Sequence, residues 1–207
     1  ATPITPRTLA LTDRGFDDHG DAVIVLPTEA IQIPPLLARC YLGLGWSERP
    51  GLERLDLDAS ALCHDASGAL VDVVSFEQLR NRSAVMDASI VHSGDVLSGR
   101  RAPPEGWAAR GADADLERIY FQLPKLDDAV CAVSLVINVF TSGRSFGDVG
   151  AAHCRLVNAD TEQEIGRFSL RELGACEALV FARFVRQPAD GHWDWLALGR
   201  RARGRVA

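Results

Sequence analysis

The stretch LDLDAS, residues 55–60, is where the fold class and the first candidate site both begin to show in the sequence. Leu55, Leu57 and Ala59 alternate with Asp56 and Asp58, and this period-two alternation predicts a β-strand. In a strand the two aspartates point to the same face, about 7 Å apart along the chain. Aspartate is a poor strand former, and two like charges on one face repel. The pair therefore faces water or binds a cation, and alternation alone leaves both interpretations open.

Short apolar patterns of the same kind recur along the chain, separated by turn-forming sequences. They are DAVIVL (21–26), ARCYLGLGW (38–46), ALVDVVSF (69–76), ERIYFQL (117–123), AVCAVSLVINVF (129–140), AHCRLVN (152–158), EIGRFSL (164–170), ALVFARFV (178–185) and HWDWLAL (192–198). About ten short strands at this spacing are typical of an all-β sandwich or barrel. We predict a two-sheet β-sandwich with at most short helices. The one helix candidate is LRELGACEALV (170–180), which contains Gly174.

The size of the chain favours a single domain. It has 207 residues, of which 47% are hydrophobic and 24% charged, as in ordinary soluble globular domains. We predict a sandwich domain over residues 21–199, an N-terminal extension over 1–20 and a basic tail over 200–207. No apolar run reaches the ~20 residues of a membrane-spanning helix, and the start has no signal-peptide pattern. We therefore expect a cytoplasmic protein.

Charge and cysteine content exclude some partners and a disulfide framework. The net charge of −6 argues against nucleic-acid binding, which needs a basic surface. The five cysteines are spaced singly without a CxxC motif, so we expect buried free thiols in a reducing compartment. The C-terminus is the basic exception, and we expect at most weak peripheral contact with an anionic membrane through its four arginines. They are Arg200, Arg201, Arg203 and Arg205.

Two further acidic segments could complete a cation site with Asp56 and Asp58. SGD (93–95) is predicted to be a tight turn that presents Asp95, with His92 placed to orient it. In DADLE (113–117), period-two spacing puts all three acidic side chains on one strand face. Calcium takes six to eight oxygen ligands, which such segments supply, but the EF-hand pattern is absent. Spacing cannot show that the segments converge, so solvated acidic strand edges remain the alternative.

Several strings, in this order along the chain, carry a resemblance to a known family. They are LGLGW (42–46), DLDASAL (56–62), HSGDVLSG (92–99), the D-L-E-R-I run (115–119), GRSFGDV (143–149), RLVN (155–158) and HWDWLALG (192–199). Over roughly residues 21–199 the sequence resembles the TerD-type family of tellurium-resistance and stress-response proteins. This resemblance implies a non-catalytic β-sandwich whose acidic segments meet at one end and bind calcium, and protein partners in a stress-response complex. The calcium ligands it implies are Asp56, Asp58, Asp95, Asp115 and Glu117. Asp113 is added to this set, although its register differs from that of the family's acidic string.

The sequence departs from the family pattern at four positions near these ligands. Ser47 and Val96 stand where the family has Asp and Asn, and Ala114 and Leu116 stand where it has Gly and Asp. Each lost carboxylate weakens calcium binding, and nearby arginines can partly replace the charge of a cation. The alternative function is therefore a partner-binding scaffold with a degenerate, empty metal site. The arginines in question are Arg100, Arg101 and Arg110.

A third hypothesis comes from GRSFG (143–147), which matches the G-x-S-x-G nucleophile elbow of serine hydrolases. Ser145 would be the nucleophile, His192 the base, and Asp160 or Asp190 the acid. The elbow must lead from a strand into a helix, whereas the residues after GRSFG read as a turn and another strand. We therefore predict that the protein is not an enzyme.

Overall fold

Strands make up almost all of the regular structure. The computed structural model describes residues 7–8, 30–32, 39–82, 88–100, 114–170 and 173–202. Helical structure in these residues consists of two single 3₁₀ turns, Leu123–Lys125 and Phe146–Asp148. The strands are β1 (Arg7–Thr8), β2 (Ala30–Gln32), β3 (Arg39–Glu48), β4 (Leu57–His64), β5 (Leu70–Val74), β6 (Ile90–His92), β7 (Glu117–Gln122), β8 (Ala132–Val139), β9 (Val149–Asn158), β10 (Glu164–Ser169), β11 (Ala178–Arg186) and β12 (Trp193–Ala202).

The strands form two sheets of six. The order in the first sheet is β1-β10-β9-β3-β7-β6, and in the second it is β2-β12-β11-β8-β4-β5. All pairings are antiparallel except that between β1 and β10. Because apolar side chains alternate along the strands, each sheet has one apolar face, and the two apolar faces enclose a shared core. The predicted two-sheet β-sandwich is confirmed.

Strand β3 shows how the sequence pattern builds this core. Leu42, Leu44 and Trp46 are buried between the sheets, while Gly43 and Gly45 alternate with them on the outer face of the first sheet. A Cβ at Gly43 would overlap the Asp115 carboxylate, and one at Gly45 would overlap the carbonyl oxygen of residue 114. The LGLGW string therefore packs the core with its large residues, and its glycines leave room for the chain that crosses the outer face.

Residues 75–82, which follow β5, contact the edge strands of both sheets on one side of the sandwich. The Gln78 side chain donates to the Val73 carbonyl of β5 (2.6 Å), and the Val73 amide donates to its neighbour Asp72 (2.9 Å). Further along, Arg80 bridges to Val91 of β6. Because these contacts occupy backbone groups that an edge strand would otherwise expose, the segment protects both edges from pairing with other strands.

The five cysteines are free, as predicted, but only Cys40, Cys63 and Cys154 are buried, whereas Cys131 and Cys176 are partly exposed. Cys63 and Cys154 lie in the core, and their histidine neighbours face the other side of each sheet. Trp193 and Trp195 are both buried on the core face of β12. Arg200 and Arg201 lie exposed on the same strand, and the last two arginines of the tail fall outside the described residues. In the described part of the chain, no helix has the length and apolar character that crossing a membrane requires.

The helix prediction for residues 170–180 is wrong where the structure describes that segment. Gly174 has a positive φ of 67° in a turn, and strand β11 begins at Ala178. A residue in the left-handed region ends a right-handed helix, which explains the difference. The strand predicted at 21–26 lies outside the described residues.

Candidate metal centre

The backbone around Asp56 and Asp58 is fixed by strand β8 and the turn that follows it. The Phe140 amide donates to the Asp56 carbonyl (2.9 Å), and the Asp56 amide donates to Oγ1 of Thr141 (2.9 Å). Asp58 lies on β4, paired with Asn138 of β8. Because the residues on either side of Asp56 are leucines buried in the core, both carboxylates are directed away from the apolar interior, as alternation predicts.

Three hydrogen bonds hold the SGD turn in place, two of them with β7 and the third with His92 of β6. Ser93 and Arg118 exchange two of them: the Ser93 amide donates to the Arg118 carbonyl (2.8 Å), and the Arg118 amide donates to Ser93 Oγ (2.9 Å). Gly94 has a φ of 106°, which favours glycine, and its amide donates to Nδ1 of His92 (3.0 Å). The expected role of His92 in orienting the turn agrees with this contact. The turn presents Asp95 at the surface.

Asp56, Asp58 and Asp95 come together at one end of the sandwich. Each contributes a carboxylate oxygen, and these three oxygens all lie within 4.8 Å of one another. Asp56 and Asp58 are buried, whereas Asp95 is exposed. Two carboxylates about 4 Å apart repel by about 4 kcal/mol at an effective dielectric of about 20. The arrangement therefore favours a bound cation or proton.

The surroundings of Asp56 show how strongly this end of the protein favours positive charge. Burial, followed by the nearby charge of Asp95, raises the pKa of Asp56 to about 6, and Glu117 adds to the rise. Arg54 opposes the shift, with its Nη2 3.5 Å from Asp56 Oδ2. The other carboxylate oxygen, Oδ1, is buried and has no hydrogen-bond partner among the described residues. Buried polar atoms are rarely left without a partner, so this oxygen marks a position for a ligand.

Glu117 lies beside the three-carboxylate cluster and joins the two segments that build it. Its Oε1 accepts from the Val96 amide (3.0 Å), and its Oε2 accepts from the Ala59 amide (3.2 Å). Nε2 of His92 lies 3.5 Å from Oε2. Val96 directly follows Asp95 and Ala59 directly follows Asp58, so a fully buried carboxylate fixes the distance between the two acidic segments. Val96 contributes its backbone amide to this arrangement, so the apolar side chain at position 96 does not prevent the contact.

Asp115 lies in a different polar network, on the outer face of the first sheet. Arg155 donates to both of its oxygens in a bidentate pair (2.7 Å each), and Arg118 Nε donates to Oδ2 (2.9 Å). His153 Nε2 lies 3.4 Å from Oδ1. Although burial alone would raise it, the hydrogen bonds from His153 and Arg155 and the arginine charges hold the pKa of Asp115 well below its usual range.

The prediction that Asp115 and Glu117 share one strand face is therefore wrong. Strand β7 begins only at Glu117, so the period-two rule does not extend back to Asp115. Residues 114 and 115 cross the outer face over Gly43 and Gly45, whereas Glu117 points between the sheets. The structure thus brings three predicted ligands together, places Glu117 next to them and places Asp115 elsewhere. Asp113, Arg101 and Arg110 lie outside the described residues.

Glu48 is an organising residue of this end that the sequence patterns did not single out. Its Oε1 accepts from the Leu55 amide (3.3 Å), Ser98 Oγ (2.7 Å) and the Gly99 amide (3.0 Å). It therefore joins the loop before Asp56 to the loop after Asp95. The sequence did offer one indication of this role. Glu48 directly follows Ser47, which stands where the family pattern has a carboxylate.

The GRSFG string has a structural role in the turn before β9. Ser145 caps the 3₁₀ turn Phe146–Asp148, with its Oγ accepting from the Gly147 amide (3.2 Å) and its amide donating to Asp148 Oδ2 (2.9 Å). The chain then enters a strand and not the helix that a nucleophile elbow requires. His192 contacts Asp190 and Asp194 in the hairpin between β11 and β12.

Together, these features define a class of protein: a two-sheet β-sandwich with acidic side chains gathered at one end and a glycine-rich strand beneath the crossing segment. The TerD domain model matches residues 29–207. The chain belongs to the TerD family.

Relatives and solved structures agree with this assignment. The chain is 34% identical to tellurium resistance protein TerZ of Serratia marcescens over 180 residues, which cover 82% of this chain and 83% of that protein. It is 29% identical to general stress protein 16U of Bacillus subtilis (strain 168) over 178 residues, covering 84% and 86%. In fold it is similar to the crystal structure of a TerD homologue from Streptomyces coelicolor A3(2), with a TM-score of 0.63, 20% identity and coverage of 81% and 91%.

Proposed function

We propose that this protein is a calcium-binding, non-catalytic domain of the tellurium-resistance and stress-response type. Calcium would tie the segment that carries Asp56 and Asp58 to the turn that carries Asp95. The proposal rests on one observation: three carboxylates from two distant segments converge, and a buried oxygen of Asp56 has no hydrogen-bond partner among the described residues. The names of the relatives supply the biological setting, which is tellurium resistance and general stress.

The donor set fits calcium in chemistry and in size. Calcium prefers hard oxygen ligands at about 2.3–2.6 Å, so oxygens on opposite sides of the ion stand roughly 4.6–5.2 Å apart. The three carboxylate oxygens, all within 4.8 Å of one another, need no large movement to meet this requirement. Magnesium usually keeps several waters and is bound through one or two carboxylates, so a cluster of three carboxylates fits calcium better.

The residues around the cluster have distinct roles in this proposal. Asp56 and Asp58 form the rigid half of the site because hydrogen bonds to β8 and its following turn fix their backbone. Asp95 forms the exposed half, through which an ion would enter from solvent. When bound, calcium would neutralise the mutual repulsion of the three carboxylates and add a link between the two loops. Free cysteines in the core agree with a reducing compartment such as the cytoplasm.

Thermal unfolding with and without calcium tests the proposal. Because calcium would bind only the folded arrangement, 1 mM calcium acting on a site with a Kd of about 10 μM adds about 2.7 kcal/mol of stability. In a chain of this size that raises Tm by roughly 5–10 °C above the value in EDTA. Asp58→Asn is expected to abolish the rise. Asp160→Asn, which changes an exposed carboxylate paired with Arg39, is expected to leave it intact.

The scaffold with an empty site makes the opposite prediction in the same experiment. It is favoured by Arg54, whose guanidinium already compensates part of the charge of Asp56. If millimolar calcium leaves the Tm of the wild type where EDTA leaves it, calcium binding is rejected and the scaffold becomes the leading function. The exposed Leu97, on the loop after Asp95, would then be the first surface position to test for partner binding.

A further inference from the structure

Arg54 connects the two acidic segments that the proposed ion would join. Its Nε donates to the carbonyl of Leu97 (2.7 Å), two residues after Asp95. Its Nη2 lies 3.5 Å from Oδ2 of Asp56. A single guanidinium therefore bridges the carboxylate of one segment and the backbone of the other.

The exposure of the two partners differs greatly. The side chain of Arg54 is 52% exposed, whereas that of Asp56 is 7% exposed. Water therefore screens the guanidinium and weakens the ion pair, while the carboxylate pays most of its desolvation cost. Arg54 also leaves Oδ1 of Asp56 without a hydrogen bond from any described residue. Arg54 therefore compensates the buried charge of Asp56 only in part, and a second positive charge would still be favourable at this site.

We propose that Arg54 is a built-in counter-ion that competes with the cation at this site and sets its affinity. The inference rests on the proposed function, because it concerns the same three carboxylates. In the metal-free protein, Arg54 holds the Leu97 loop against Asp56. When a divalent cation binds, the guanidinium becomes a like charge a few ångströms away and opposes it. One residue thereby stabilises the metal-free form and weakens the loaded form.

Two readouts of opposite sign follow for Arg54→Gln. The glutamine amide can still donate to the Leu97 carbonyl, but the positive charge is gone. By Coulomb's law in a water-like dielectric, removing a unit charge about 5 Å from a divalent ion raises its affinity by about tenfold. The same change lowers the Tm of the protein in EDTA, because Asp56 loses its counter-ion. A merely structural role would lower both the Tm and the affinity.

Isothermal titration calorimetry with calcium chloride, together with Tm in EDTA, measures both effects on the full chain. Arg54→Lys keeps the charge and should bind calcium within about threefold of the wild type. Arg39→Gln is the matched control, because it removes an exposed arginine that also pairs with a carboxylate, Asp160, at the opposite end of β3. Its calcium affinity should equal that of the wild type.

The outcomes separate this inference from the proposed function. Tighter binding by Arg54→Gln supports the inference, and so does calcium binding that appears only in that variant. If the wild type binds calcium and Arg54→Gln binds it equally or more weakly, the counter-ion role is overturned and the proposed function stands. If neither protein binds calcium at 10 mM, both are overturned.

Discussion

Asp56 and Asp115 are both buried aspartates, and their surroundings are opposite. Asp56 is 5% exposed and Asp115 1% exposed, so both lose most of their hydration. At Asp115, contacts with a bidentate arginine, a second arginine and a histidine replace the lost water. Asp56 lies next to two other carboxylates, and its one cationic partner among the described residues is the half-exposed Arg54. The comparison separates a carboxylate whose charge the protein compensates with its own cations from one whose charge it compensates only in part.

The pKa directions express the same contrast. The pKa of Asp115 is lowered because its partners favour the charged form, and that of Asp56 is raised to about 6 because burial and neighbouring acids disfavour it. One aspartate therefore stabilises the fold when it is ionised, and the other when it is protonated or bound to a cation. Three predictions test this difference, beginning with the largest effect.

Asp115→Asn should cause the largest loss of stability. The substitution removes the carboxylate that pairs with the buried Arg118 and with the partly buried Arg155, which keeps a longer contact to Glu164 (3.6 Å). Breaking a buried ion pair costs about 3–5 kcal/mol. Urea unfolding at pH 7 measures the difference in free energy. Asp160→Asn, at the exposed pair with Arg39, should cost less than about 1 kcal/mol. A cost below 1 kcal/mol for Asp115→Asn would show that the arginines do not depend on Asp115 as their counter-charge.

Glu117→Gln should have an intermediate effect on stability and an indirect effect on the proposed metal site. Both carboxylate oxygens accept from backbone amides, and an amide group can replace only one of these acceptors. Leaving one buried donor unsatisfied costs about 1–3 kcal/mol. Because Val96 and Ala59 are the donors, the distance between the acidic segments also changes, and calcium affinity should fall. Urea unfolding and calorimetry check the two effects, and normal affinity in a destabilised variant would reject the positioning role.

Asp56→Asn should have the smallest effect, with a sign that depends on pH. The pKa of Asp56 is raised, so its stabilising contribution is complete below about pH 4 and is lost as pH rises through about 6. Because water and the half-exposed Arg54 screen this carboxylate, we expect a change of about 1 kcal/mol or less. In EDTA, the Tm of the variant should match the wild type near pH 3.5 and exceed it by pH 7.5. A variant that is less stable at pH 7.5 would contradict the repulsion at this site.

The sequence predicted the parts of the site that depend on local geometry. Alternation in LDLDAS gave the common direction of Asp56 and Asp58, because strand geometry is periodic and extends through this stretch. The convergence of Asp95 came only from the family resemblance, because it depends on contacts between β4 and a turn more than thirty residues away. The sandwich itself was predictable because its strands alternate so regularly between apolar and polar residues.

The misassigned and missed residues depend on contacts that no local pattern encodes. Asp115 was assigned to the face of Glu117, but β7 begins at Glu117, and the preceding residues cross the sheet where Gly43 provides space. That contact joins positions about seventy residues apart. Glu48 was missed because its role is to accept hydrogen bonds from two loops whose proximity appears only in the folded chain.

Amide chemical shifts recorded during a calcium titration test the central claim most directly. The account predicts that saturable shifts concentrate at residues 54–59 and 92–98, and that the amides around Asp115 and Arg155 change little. Asp58→Asn should remove the saturable shifts and keep the dispersion of a folded protein. If the spectrum is unchanged at 10 mM calcium, or if the largest shifts centre on Asp115, the proposed division between the two buried aspartates is wrong.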